Sequence, residues 1–212
     1  MSDHFIIQNA RASFPTLVKP EVNRKHPTSP AKYGVDLIID QNDPIIAALM
    51  ARFHELALNQ WKQAAPMMVQ QIQANKDARS FGKGSERING TTFERLSGYG
   101  DTDFYITAQA YADEKPQVGD SKGNIIPIID LLGYEQEARR VYGGCYINAY
   151  IRPWLRLARP GISFRLMGFQ FAKDGEPFGV GAADLSSVFG AVAAAPAGVA
   201  APAGLAFPSF LA

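Results

Sequence analysis

Strands dominate this chain and one strong helix interrupts them, which predicts a mainly β fold: a small closed or partly open barrel with a helix inserted between strands. Three observations carry the prediction. Segments of alternating apolar and polar residues recur along the chain. A single long stretch, 43–63, holds apolar residues at helical spacing. The order β, β, α, β, β, β lacks the regular strand–helix alternation of a doubly wound sheet. The five-stranded Greek-key barrel known as the OB-fold is the economical example of such an order.

The elements follow in sequence. "FIIQNARASF" (5–14) and "KYGVDLIID" (32–40) are rich in strand formers. Between them, "PTLVKPEVNRKHPTSPA" holds four prolines and reads as a long loop. In the second strand Tyr33, Val35, Leu37 and Ile39 alternate with polar Asp36 and Asp40, the pattern of a half-buried strand. "DPIIAALMARFHELALNQWKQ" (43–63) is the helix, with Asp43 as N-cap and Pro44 at the first helical position. Ile45, Leu49, Phe53, Leu56 and Trp61 form its apolar stripe, and Pro66 stops it. A second short helix is expected at 67–76. The Gly- and Ser-rich run 78–101 reads as a mobile loop carrying Arg79, Lys83, Arg87 and Arg95. "DFYITAQAYAD" (103–113) is a strand with Phe104, Ile106, Ala108 and Ala110 on one face and Tyr105, Thr107, Gln109 and Tyr111 on the other. The last strands, near 141–155 and 161–173, are joined by "LARPG".

From Gly190 the chain is mostly Ala, Pro and Gly with no charged side chain. It has little to bury and many helix breakers, so 189–212 is read as a flexible tail and 1–188 as the folded body. Phe207, Phe210 and Leu211 make the extreme end a short apolar peptide.

The formal charge is only +1, so net charge by itself implies no polyanionic partner. Its distribution says more. No acid lies between Glu137 and Asp174, while Arg139, Arg140, Arg152, Arg156, Arg159, Arg165 and Lys173 do. That window sets up a positive field inside a nearly neutral protein. The single cysteine, Cys145, excludes an intrachain disulfide and suits a reducing cytoplasm. No secretory leader or membrane-spanning run is expected.

Several chemistries fail on spacing. "SFGKGSE" is no phosphate loop, because Asp77 stands where the first glycine belongs and Gly84 follows Lys83. His4, His26, His54 and Cys145 are too scattered for a zinc site or a Cys–His pair, and His54 reads as a core or boundary residue. Asp101 and Asp103 are the best-placed carboxylate pair for metal chemistry, but "GDTD" is also ordinary turn chemistry. Nothing demands an enzyme, and no cofactor or metal is expected.

The strand "CYINAYIRPWLR" (145–156) is the informative one. Cys145, Ile147, Ala149 and Ile151 alternate with Tyr146, Asn148, Tyr150, Arg152, Trp154 and Arg156. If the first set faces the core, the second forms an outward aromatic and cationic face. Pro153 implies an edge or a bulge that shifts this register. Unpaired bases stack on aromatic rings, at about 1–3 kcal/mol each, and arginine pairs with phosphate. Tyr105 and Tyr111 would extend the platform, with Arg139 and Arg140 adding charge. The 78–101 loop would close over the strand as a flap through Lys83 and Arg87. A protein-interaction surface has a similar composition, and the pattern alone leaves both readings open.

Four stretches taken in order bear on the choice. "RASFPTL" (11–17), "KYGVDLIIDQNDP" (32–44), "GGCYINAYIRPW" (143–154) and "GISFRLMGFQFAKDGEPFG" (161–179) together resemble a family of bacteriophage single-stranded-DNA-binding proteins with an OB-fold. The resemblance covers most of 5–182. It implies a non-catalytic protein that coats exposed single strands during phage DNA replication or recombination, in the cytoplasm of the infected host. It does not assign contacts; those come from strand alternation and charge. The arginines would serve any polyanion, so duplex DNA and RNA stay open as partners. The chain departs from many such proteins in its tail, which has no acidic side chain in the last 28 residues. Charge-based autoinhibition by the tail is therefore not expected, whereas "FPSFLA" is open to two readings, a frayed terminus or an apolar peptide that recruits phage or host replication proteins. A virion assembly protein and a metal-dependent nuclease are the rival readings.

Overall fold

The computed structural model describes residues 3–23 and 27–179. Seven strands form one sheet: β1 (Phe5–Glu21), β2 (Lys32–Asp40), β3 (Phe81–Lys83), β4 (Asp103–Tyr111), β5 (Gln117–Gly119), β6 (Tyr146–Arg156) and β7 (Gly161–Lys173). Their order is β3-β4-β2-β1-β6-β7-β5, and a parallel pairing of β4 with β7 at Ala108–Phe164 and Gln109–Arg165 closes the ring. The barrel therefore consists of five strands, β1, β2, β4, β6 and β7, with β3 and β5 as short additions. This is the closed barrel of the OB-fold, as the strand order predicts.

The barrel closes because β1 serves two neighbours. Phe5–Arg11 pairs with β6, and Arg11–Glu21 pairs with β2. Register shifts at 7/10, 13/16 and 16/21 bend the strand between them. Here the structure corrects the expected loop: the chain stays extended through Pro15 and Pro20. Both prolines lie inside register shifts, where the ladder does not need their missing N–H.

Helix α1 (Pro44–Trp61) begins as expected, with the Asp43 carboxylate accepting from the Ile45 N–H at 2.9 Å and Pro44 in the first turn. Leu49, Phe53 and Ala57 are its buried stripe, whereas His54 is exposed rather than in the core. After a short 3-10 turn, α2 (Ala65–Ala74) carries Pro66 in its own first turn, so this proline starts a helix instead of stopping one. A third helix, α3 (Leu131–Arg139), falls between β5 and β6, where no helix is expected from sequence. Tyr134 anchors it: its ring is buried and its hydroxyl donates to the Leu17 carbonyl of β1 at 2.9 Å.

Residues 180–212 lie outside the described residues, and the expected tail and the 188/189 boundary lie there with them.

Candidate nucleic-acid interface

Strand β6 keeps its alternation along its whole length. Ile147, Ala149, Ile151 and Pro153 point into the barrel, as does Cys145 just before the strand, while Tyr150 and Trp154 are exposed. Pro153 does not shift the register, because β1 accompanies β6 only as far as Ile151 and one side of β6 is free beyond it. The irregularities of its pairing with β7 fall at Tyr146/Ile147 and Tyr150/Ile151 instead.

The outward residues separate into two groups. Tyr146 and Trp154 are eight residue steps apart, about 26 Å along an extended strand. At the far end Arg152, Trp154 and Arg156 line a cleft of about 340 Å³. Strand β4 supplies its opposite wall with Thr107, Gln109 and Tyr111, β7 supplies Ser163 and Arg165, and Lys32 of β2 closes one side. Four cationic side chains, Lys32, Arg152, Arg156 and Arg165, thus face a single carboxylate, Glu114. Glu114 is held by Arg165 at 2.5 Å. Arg152 has no carboxylate partner among the described residues. The Arg156 guanidinium donates to the Asp77 carbonyl at 3.0 Å, which fixes its direction, and the Asp77 carboxylate nearby favours its charge. Lys32 lies 4.9 Å from the centre of the Tyr111 ring. Burial, and then repulsion from Arg156, push the Lys32 ammonium below its usual range.

Tyr146 and Tyr150 lie outside this cleft. His4 stacks on Tyr150 with ring centres 5.1 Å apart, and Lys173 sits 4.6 Å over Tyr146. Arg139 and Arg140 end α3, where they pair with Glu135 and Glu137. Arg140 also covers the Phe171 ring at 4.3 Å. Lys83 is exposed on β3.

Two predicted contacts are placed differently from expectation. Tyr105 shares its face with Tyr111, yet it is buried at 7 % exposure. The 84–100 segment covers that part of the barrel wall and brings Tyr99 against Tyr105, ring centres 6.3 Å apart. Arg87 is engaged in an ion pair with Asp36 and stands 4.5 Å over the Tyr105 ring. Asp36 is itself buried and accepts from the Tyr99 hydroxyl at 2.8 Å and the Thr107 hydroxyl at 2.5 Å. The segment expected to be a mobile flap is therefore pinned to β2 and β4. The second strand is buried on both faces rather than half-buried.

Asp101 and Asp103 do not converge. Asp101 pairs with Arg95 at 2.5 Å, and Asp103 accepts from the Gly100 N–H at 2.5 Å, which is turn chemistry. Among the described residues no cluster of three or more His, Cys, Asp or Glu could hold a metal ion. No described helix is long and apolar enough to cross a membrane. Sequence reasoning left Lys32 and Gln109 out of the site. It counted Arg165 in the acid-free window but did not place it. Three pairings bring them beside Trp154: β6–β7 sets Arg165 opposite Arg152, β4–β7 sets Gln109 beside Arg165, and β2–β4 sets Lys32 opposite Tyr111.

The family model described as the Enterobacter phage Enc34 ssDNA-binding protein matches residues 3–197. The chain belongs to this family. Solved structures agree on the fold. The single-stranded DNA-binding protein from bacteriophage Enc34 superposes with a TM-score of 0.60 at 22% identity, covering 88% of this chain and 89% of that one. The same phage protein in complex with ssDNA gives a TM-score of 0.62 at 21% identity, over 84% and 90% of the two chains. Its C-terminal truncation gives 0.59 at 19% identity, over 83% and 89%. No curated protein sequence matches the chain.

Proposed function

We propose that this member of the Enc34 family binds single-stranded DNA without sequence preference, in the cleft between β4, β6 and β7. The observation that carries the reading is an exposed indole, Trp154, and an exposed phenol, Tyr111, lining one cleft that holds four cations and one carboxylate. Arginine and lysine neutralise phosphates and release counterions, and the rings then hold splayed bases. A related phage protein solved in complex with ssDNA supports the assignment. The protein destabilises hairpins by mass action, since it favours the unpaired state. Its role is to coat exposed strands in phage DNA replication and recombination inside the host cell, with no catalytic residue. The exposed Tyr150 and the Lys83 ammonium are secondary contacts, reached by a strand that leaves the cleft.

Anisotropy of fluorescently labelled oligo-dT, titrated with protein in rising salt and with or without chelator, tests this. Saturable binding that weakens steeply with salt and ignores chelator is expected. Absence of binding with stable self-association would point to an assembly protein. Oligonucleotide cleavage that stops on chelation would point to a nuclease.

A further inference from the structure

Trp154 and Arg156 each form part of two depressions. Besides the central cleft, Trp154 lines a cavity of about 390 Å³ on the α1 side, together with Arg152, Asn59 and Gln60. Arg156 likewise borders a cavity of about 520 Å³ at the β6–β7 hairpin, with Arg159, Asn75 and one carboxylate, Asp77. The central cleft therefore adjoins both of the others, sharing Arg152 and Trp154 with the α1-side cavity and Arg156 with the hairpin cavity.

We propose that the bound strand follows a three-part track: from the α1 side over Trp154, through the central cleft, and past Arg156 to Arg159. The proposal rests on the central cleft being the DNA site, and it adds two subsites to it. On the α1 side the indole offers a second stacking surface, and the exposed Asn59 and Gln60 amides offer donors and acceptors to bases or sugars. Arg52 is not the cation there, because Asp3 and Glu55 already occupy it. At the hairpin Arg159 is exposed and has no carboxylate partner among the described residues. The bond from Arg156 to the Asp77 carbonyl holds its guanidinium upright as the divider between subsites. The inserted helix α1 thus takes part in binding as well as in packing.

Oligo-dT of about four and about sixteen nucleotides, which brackets the span of one such fold, distinguishes the track from the central cleft alone. A four-nucleotide strand fills the centre and reaches neither end. Arg159→Ala is expected to weaken the long oligonucleotide severalfold and reduce its salt slope by about 0.7, leaving the short one unchanged. The Asn59→Ala/Gln60→Ala double variant is expected to weaken the long one severalfold and spare the short one. Trp154→Ala should weaken both. If either outlying variant binds the long strand like wild type, or weakens both strands alike, the three-part track is wrong. The central cleft survives that result as long as Trp154→Ala weakens binding; wild-type affinity in Trp154→Ala as well would remove the underlying reading.

Discussion

At the residue scale, binding depends on a few side chains whose neighbours leave them available. Trp154 is 37 % exposed and Tyr111 39 %, and both stand in the cationic cleft. Replacing either by alanine is expected to cost about 1–3 kcal/mol of oligo-dT affinity, measured by anisotropy at fixed salt. Tyr105→Phe, by contrast, should leave affinity unchanged, because that ring is buried under the 84–100 segment. Lys32 adds a pH signature. Its folded pKa lies below the usual 10.5, so in the window beneath that value the unfolded chain holds more protons than the folded one. Stability contributed through this group therefore rises with pH across that window. A bound phosphate favours the ammonium and acts in the opposite direction. DNA binding takes up a proton there, and affinity should fall as the solution becomes alkaline. Affinities measured along a pH series should show that fall in the wild type and lose much of it in Lys32→Arg.

At the scale of elements, two attachments fasten outlying segments to the barrel. The first is the buried Asp36 carboxylate, which gathers Arg87, Tyr99 and Thr107 and so fastens the 84–100 segment to β2 and β4. Asp36→Ala removes the acceptor and leaves Arg87 half-buried without its partner. A loss of about 3 kcal/mol is expected in guanidinium unfolding, with oligo-dT still bound by the folded fraction. The second is the Tyr134 hydroxyl bond from α3 to β1, and Tyr134→Phe should cost about 1 kcal/mol in the same measurement. These attachments also explain what the sequence hid. Asp36 reads as an outward polar residue, and only the covering segment, distant in sequence, makes it a buried one. Helix α3 is obscured because its buried face is just Tyr134 and Ala138, while Leu131 and Leu132 face solvent. The long reach of β1 is obscured by its prolines, which the register shifts accommodate. Strand β6 was legible because no other element buries its outer face, so its inward residues to Pro153 are buried and its outward ones at least partly exposed.

At the scale of the whole molecule, strand order alone was enough to anticipate the barrel, because five strands with few crossovers have few ways to close. The composition of the cleft was only half legible. Arg152, Trp154 and Arg156 come from one strand, whereas Lys32, Gln109 and Arg165 come from three others. Arg165 arrives through the local β6–β7 hairpin, whereas Gln109 and Lys32 need the non-local β4–β7 and β2–β4 pairings. A protein with net charge of only +1 thereby holds a concentrated positive site, and binding should depend on salt more strongly than net charge suggests. The most direct measurement uses the chain's two tryptophans, Trp61 and Trp154. In a Trp61→Phe variant the remaining indole reports only on the cleft. Titration with oligo-dT should shift and quench its emission in parallel with binding. Tight binding of oligo-dT with that emission unchanged would contradict stacking on Trp154 and the cleft built around it.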